Sequence, residues 1–196
     1  MLRQWMLAIL AAAVALPAAA APEHYVIDSA HTYPSLEFPH MGFSIWRGKF
    51  NKTEGSFVLD EAAKTGQVDI KVDVKSIDFG HDEMNEHAVD KDWLDAKKYP
   101  TMTYTGKLVY KGEKPVAVDG KLTLRGVTKP LKLKINSFNC MPHPFYKKRA
   151  CGADAEGELN RADYGMTQYT DGGMGIIKLR IQAEALIREK KANPKK

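Results

Sequence analysis

Histidine is the residue type of this sequence best suited to hold a metal ion, and the chain contains six of them. They are His24, His31, His40, His81, His87 and His143. No pair has the H-x-H or H-x-x-x-H spacing of a compact metal site, although His31, His40 and His87 could meet at one rim if distant strands are neighbours. The sequence also lacks G-x-S-x-G and any other spacing that pairs a nucleophile with an oriented base. We therefore predict neither a metal site nor an enzymatic activity.

The two cysteines, Cys140 and Cys151, are separated by ten residues that include two prolines and three consecutive basic residues. This composition predicts a long loop between antiparallel strands, with a disulfide joining its ends. A redox pair or a metal site fits less well, because the C-x-x-C motif is absent. The predicted disulfide favours an oxidising compartment.

The N-terminal residues 1–20 have the pattern of a secretory signal peptide. Arg3 precedes an apolar run over residues 5–16, and small residues follow Pro17. The run is shorter than the roughly 18 residues of a membrane span. We expect residues 21–188 to form one exported domain and residues 189–196 to form a basic flexible tail. The net charge is +5, but no basic stripe interleaved with aromatic residues occurs, which argues against nucleic-acid binding.

Apolar and polar residues alternate with a period of two along most of the chain, as in strands with one buried face. The clearest alternating segments are 68–74, 102–110, 116–124, 131–135 and 177–185. The polar face is charged or rich in threonine, which argues against a parallel sheet covered by helices on both sides. Short polar turns at 111–114 and 125–130 favour antiparallel pairing.

Residues 82–98 interrupt this alternation with strong helix formers. They predict one or two short helices with Met84, Ala88, Trp93 and Leu94 facing inward. The predicted fold is therefore all-β, an antiparallel barrel of about eight strands with a short helical insertion. A barrel of this size is filled by its own side chains or holds one small ligand, and the alternation is the same in both cases.

Five motifs, in the expected order along the chain, resemble those of the YceI-like family. The first strands contain His31-Thr32, Phe38-x-His40-Met41-Gly42 and Arg47-Gly48-Lys49-Phe50. Asp92-Trp93-Leu94-Asp95 before Tyr99-Pro100 resembles the family's passage from helix to strand, with His87 eight residues before the last aspartate. Residues 120–130 (GKLTLRGVTKP) and Arg161-x-Asp163-Tyr164-Gly165 complete the resemblance.

The resemblance implies a lipocalin-like barrel in the bacterial periplasm that carries an isoprenoid or another long amphiphile in its lumen. Polyprenyl phosphates, ubiquinone-type quinones and fatty amides are ligand types of the family, and no resident cofactor or metal is implied. The resemblance also favours a homodimer. Alternative interpretations are an accessory protein that handles quinone for a membrane cytochrome, and a small hydrolase. The sequence departs from the family at Ala88-Val89 and in the loop between the cysteines.

An isoprenoid tail would be held by desolvation, at about 0.8 kcal/mol per buried methylene-sized unit. Association costs on the order of 4 kcal/mol or more, so a tail of more than about ten carbons is favoured. The predicted lumen lining is Phe38, Phe43, Ile45, Val72, Val74, Trp93, Leu94, Met102, Tyr104, Leu122, Leu124, Ile177 and Leu179. We expect Trp93 and Met102 above all to contact the ligand, because wide or flexible side chains adapt to varied tails. Arg47, His87 and Arg161 are candidates to bind a head group, and for Arg161 the alternative is a structural ion pair with Asp163 or with a neighbouring strand.

Overall fold

The structure is a computed structural model that describes residues 21–188. The predicted signal peptide (residues 1–20) and basic tail (residues 189–196) lie outside the described residues. The strands are β1 (Glu23–Ile27), β2 (Tyr33–His40), β3 (Ser44–Phe50), β4 (Thr53–Asp60), β5 (Thr65–Asp73), β6 (Ile77–Asp78), β7 (Thr101–Lys111), β8 (Lys114–Leu124), β9 (Val127–Pro142), β10 (Arg149–Asn160) and β11 (Ile176–Ile187). Within residues 21–188 there are also one α-helix, α1 (Asp82–Ala88), and three short 3-10 turns (Val74–Ser76, Arg161–Tyr164 and Asp171–Gly173).

Eight of these strands close into an antiparallel barrel. Their order is β1-β4-β5-β7-β8-β9-β10-β11, and the pairing of β1 with β11 joins the two ends of the sheet. The pairing of β1 with β11 closes the sheet, and every second side chain points toward a common interior. The predicted all-β barrel with a short helical insertion is confirmed.

The remaining strands extend the barrel wall from the edge of β11. The last residues of β11 pair with β1, while residues Lys178 to Gln182 pair with β2. β3 pairs with β2 along most of its length, but with β6 only at Lys49 and Phe50. Within residues 21–188, positions 44–48 of β3 therefore have a strand partner on one side only.

α1 begins directly after β6 and covers one end of the barrel. The Nδ1 atom of His81 accepts a hydrogen bond from the backbone N–H of Met84 (3.3 Å), and Asp82 and Glu83 occupy the first turn, where negative charge stabilises a helix. Ala88 packs against Phe50, Val72 and Ile77. The rest of the predicted helical segment consists of turns rather than a second helix. Across residues 21–188, no helix combines the length and the hydropathy that a membrane crossing requires.

The opposite end of the barrel is closed by packed side chains and a polar network. Tyr25, Phe57, Leu59, Cys151 and Ala185 form a buried cluster there. The predicted disulfide between Cys140 and Cys151 is confirmed and joins directly opposed residues of β9 and β10. Arg149, the first residue of β10, pairs with Glu23 (3.1 Å) and Glu61 (2.8 Å). We call this the closed end.

Candidate functional site

A cavity of about 500 Å³ lies inside the barrel, at the end covered by α1. Its wall is almost entirely apolar. It is built from the ends of β5, β8 and β10, the starts of β7, β9 and β11, and the facing sides of β2 and β3. We call the end of the barrel that α1 covers the mouth. Ligand cavities in proteins commonly have volumes of roughly 300–1,000 Å³, so the space suits one small amphiphile.

The cavity exists because the two ends of the interior are filled differently. Three aromatic rings, those of Tyr25, Phe57 and Phe138, contact one another in sequence at the closed end, with centroids 5.5 and 6.0 Å apart. Toward the mouth, the inward positions of the central strands hold aliphatic side chains such as Leu122 and Leu133. The interior remains open between these residues and the strands β2 and β3, where the cavity lies.

Tyr104 lies in the cavity wall, and its hydroxyl group contacts backbone carbonyl groups of β8 and β9. Its Oη lies 3.0 Å from the carbonyl oxygen of Leu131 and 3.3 Å from that of Val118, so the hydroxyl donates within the wall. Burial raises the pKa of Tyr104 well above its usual value. The ring fits because residue 120 is glycine: a Cβ there would lie 2.5 Å from the Tyr104 ring. Tyr104 therefore offers the cavity an apolar ring face.

Three of the residues predicted to lie near a bound ligand meet around Trp93. The ring centroids of His87 and Trp93 are 5.3 Å apart, and the Arg161 guanidinium carbon lies 4.8 Å from the Trp93 centroid. All three side chains line the cavity. They come from α1, from the turn after it and from the 3-10 turn that follows β10. This cluster brings a histidine and an arginine together in a wall that is mostly apolar.

Arg161 carries a buried positive charge, since its exposed fraction is 6 %. It donates to the carbonyl oxygens of Met166 (3.1 Å), Gln168 (2.5 Å) and Tyr169 (2.9 Å). No carboxylate of the described residues lies within ion-pair distance, so the alternative pairing with Asp163 is wrong. Burial alone lowers the pKa of Arg161. Three backbone carbonyl groups compensate part of this buried charge, and the guanidinium group borders the cavity beside Trp93.

Most of the residues predicted to line the lumen do so. The cavity wall contains Phe38, Val72, Trp93, Leu94, Met102, Tyr104, Leu122, Leu124, Ile177 and Leu179, together with the head-group candidates His87 and Arg161. Their contact with a ligand stays a prediction.

Four predicted site residues are wrongly placed. In β3 the inward positions are Trp46, Gly48 and Phe50, so Ile45 and Arg47 face outward and Phe43 precedes the strand with 87 % of its surface exposed. Arg47 instead pairs with Glu37 (3.3 Å) on β2. Val74 is buried in the 3-10 turn after β5, where the chain leaves the barrel, and it does not line the cavity.

Several wall residues escaped the sequence prediction. Trp46 could have been found, because the charges at 47 and 49 mark the outward face of β3 and leave 46, 48 and 50 for the interior. Leu131 and Leu133 could also have been found, because the alternation in residues 131–135 places both on the inward face. Phe79 follows the two-residue strand β6, so no period-two signal could have indicated it, whereas the predicted inward orientation of Met84 in the helical segment agrees with its place in the wall.

The histidines that could have converged on a metal remain apart. His31 pairs with Asp28 (2.9 Å) at the surface, while His40 stacks on Trp46 with ring centroids 4.0 Å apart. Over residues 21–188, no group of three or more His, Cys, Asp or Glu side chains could hold a metal ion.

The fold and the cavity together define a class of protein: a closed antiparallel β-barrel with an apolar lumen that opens at one end. The chain matches the YceI-like domain over residues 25–185. This protein therefore belongs to the YceI-like family, and the resemblance recognised in its motifs is confirmed.

Relatives and solved structures agree with this assignment. A UPF0312 protein of Vibrio campbellii is 36 % identical over 171 residues, which cover 83 % of this chain and 90 % of the relative. The Campylobacter jejuni YceI protein is 26 % identical, with a TM-score of 0.65 over 77 % of this chain and 90 % of that one. A polyisoprenoid-binding domain from Saccharophagus degradans shares the fold, with a TM-score of 0.59 over 84 % of this chain and 98 % of that one, at 14 % identity.

Proposed function

We propose that this protein is an exported carrier that holds the tail of a long-chain isoprenoid, or of a similar amphiphile, in its lumen. The observation that carries the proposal is the apolar cavity of about 500 Å³ between a packed closed end and the mouth. The polyisoprenoid-binding domain with the same fold supports this choice of ligand class. No step of this function requires catalysis.

The cavity volume supports a multi-prenyl tail. If a carbon-sized unit takes about the room of a water molecule, roughly 30 Å³, the cavity holds roughly 15 to 20 such units. At about 0.8 kcal/mol each, their burial gives roughly 12 to 16 kcal/mol before the cost of association. A tail longer than this would leave its remaining units at the mouth, so we expect affinity to rise with chain length and then to level off.

The cluster of His87, Trp93 and Arg161 is the proposed head-group site. Arg161 contributes a buried cation, and His87 contributes an exposed imidazole beside the same Trp93 ring. A phosphate or quinone oxygen placed here would have its tail in the apolar part of the cavity. Polar groups that are few and grouped at one place fix the orientation of a ligand.

Mass spectrometry of organic extracts from the purified full-length protein tests the proposal directly. We expect a prenyl lipid or quinone in stoichiometric amount, and titration with prenyl alcohols of increasing length should show affinity levelling off beyond about 15 to 20 carbons. Repeated recovery of protein without lipid, together with no binding of any prenyl alcohol, would refute the proposal.

Two substitutions in β7 separate the lumen from the outer face of the same strand. Met102→Glu places a charge in the cavity wall, whereas Val109→Glu places it on the outside. We expect Met102→Glu to abolish lipid retention and Val109→Glu to leave it unchanged, because an apolar tail cannot solvate a carboxylate. Met102→Gln, which lacks the charge, is the second variant if Met102→Glu fails to fold. Equal retention in all three variants would contradict the assigned lumen.

Export to the periplasm is the second part of the proposal, supported by the N-terminal sequence and by the disulfide between Cys140 and Cys151. Cell fractionation combined with thiol alkylation should recover the oxidised chain in the periplasmic fraction. Recovery in the cytoplasmic fraction with alkylated cysteines would contradict it. The homodimer and the membrane cytochrome partner stay predictions.

A further inference from the structure

The hairpin between β9 and β10 presents large apolar side chains to solvent at the closed end of the barrel. Met141, Phe145 and Tyr146 are all exposed, and Phe145 has 84 % of its surface accessible. They lie within six residues of one another at one tip. We call residues 141–149 the hairpin tip. Clustered exposed apolar side chains are common at interaction surfaces.

The hairpin tip is held in this conformation by specific interactions. The disulfide between Cys140 and Cys151 ties its base. The Nδ1 atom of His143 accepts hydrogen bonds from the backbone N–H groups of Phe145 (3.2 Å) and Tyr146 (3.3 Å). The His143 ring also stacks on Tyr146, with centroids 4.4 Å apart. Because the turn is organised around His143, Phe145 points away from the barrel instead of folding back onto it.

Basic residues accompany these aromatic side chains. Lys147 and Lys148 are exposed on the tip. The end of β11 lies beside the base of the hairpin, where Leu186 pairs with Ala150, and the sequence continues from Arg188 into EKKANPKK. The mouth has the opposite character, since residues 82–98 contain six acidic residues and three lysines. The hairpin tip itself contains three basic residues and no acidic residue, so positive charge accompanies the exposed aromatic rings.

We propose that the hairpin tip binds the surface of a lipid bilayer that contains anionic phospholipid. Aromatic side chains are stabilised at the boundary between head groups and acyl chains, and each lysine near an anionic surface strengthens binding about fivefold. Docked in this way, the barrel would stand on its closed end with the mouth facing away from the membrane. The proposal is independent of what the lumen holds, because the tip and the cavity lie at opposite ends.

Co-sedimentation of the full-length protein with vesicles tests this inference. Vesicles of phosphatidylcholine with about one third phosphatidylglycerol should bind the protein, and vesicles of phosphatidylcholine alone should bind it much less. Added salt should weaken binding, since it screens exposed charges. We expect Phe145→Ser with Tyr146→Ser to reduce binding about tenfold or more, and Lys147→Glu to reduce it by severalfold.

Phe43→Ser is the matched control, because Phe43 is equally exposed but lies at the mouth. It should leave vesicle binding unchanged. Single tryptophans at the two positions give a second measurement: brominated lipid should quench Phe145→Trp more than Phe43→Trp. Absence of vesicle binding, dependence on Phe43 instead of Phe145, or association of the chain with itself through the tip would each overturn the proposal. Lipid retention in the lumen, measured in parallel, reports separately on the proposed function.

Discussion

Arg161 illustrates how one side chain can organise both the wall of the cavity and the loop that borders it. Its guanidinium group donates hydrogen bonds to three carbonyl oxygens between residues 166 and 169, and its central carbon lies over the Trp93 ring. The guanidinium group therefore helps to hold the segment after β10, together with the buried side chains of Tyr164 and Met166. Arginine suits this role because its planar group donates in several directions at once.

We predict that Arg161→Met lowers the free energy of unfolding by about 2–4 kcal/mol, because the volume is kept while buried carbonyl groups lose their donor. Arg161→Lys should restore part of the loss, since one ammonium group reaches fewer of these oxygens. Urea unfolding followed by circular dichroism measures both effects. Wild-type stability in Arg161→Met would show that water or other groups replace the guanidinium without cost.

At the scale of elements, the alternation of apolar and polar residues predicted the strands that build the cavity. It identified inward residues of β5, β7, β8 and β11 because each of these strands has one charged or threonine-rich face. It failed in β3, where an apolar residue, Ile45, occupies an outward position that is half exposed. A shift of one residue reverses the faces of a strand, so a single apolar residue on the surface suffices to mislead.

Irregular strand pairing and contacts between distant segments are the second reason why the sequence prediction was incomplete. β7 and β8 shift register after Val109, so that Ala117 and Val118 are both buried while Val116 is exposed. A bulge of this kind interrupts the alternation of inward and outward side chains, but the pattern of apolar and polar residues does not show where it occurs. The meeting of His87, Trp93 and Arg161 depends on contacts between segments about 70 residues apart, which only the closed barrel brings together.

The disulfide of the β9–β10 hairpin is expected to stabilise the closed end rather than the cavity. Replacing both Cys140 and Cys151 by serine should lower the free energy of unfolding by about 3 kcal/mol, because the unfolded chain regains the freedom of the loop. Lipid retention at temperatures well below the unfolding transition should be unaffected. Urea unfolding of the oxidised protein, the reduced protein and the double variant measures the effect. A loss of lipid retention without a loss of stability would contradict the expectation that the disulfide stabilises the closed end rather than the cavity.

At the scale of the whole molecule, buried tyrosines make folding sensitive to high pH. Burial, and then the hydrogen bond from Tyr25 to Glu23, raises the pKa of Tyr25 from 10.0 to about 12. Burial raises the pKa of Tyr104, Tyr110 and Tyr164 in the same direction. The folded protein thus retains protons that the unfolded chain releases above its own tyrosine pKa.

We predict that the contribution of Tyr25 to the free energy of unfolding is constant below pH 10 and falls as the pH rises from 10 to 12. Urea unfolding across this range, with tyrosinate absorbance recorded in parallel, measures the effect. Tyr25→Phe should show a smaller fall over the same interval, because phenylalanine has no proton to lose. An equal fall in the two proteins would assign the effect to the other tyrosines.

The unpaired side of β3 has a consequence for how the barrel can admit a bulky molecule. Beside positions 44–48, the wall between interior and exterior is made by the side chains of Trp46, Phe79 and Met84, which border both the cavity and a depression on the outer surface. Elsewhere a breach would have to rupture the hydrogen bonds of neighbouring strands. Along this seam only side chains separate the lumen from the outer depression, so no backbone hydrogen bond of the strands would have to break for the two spaces to connect.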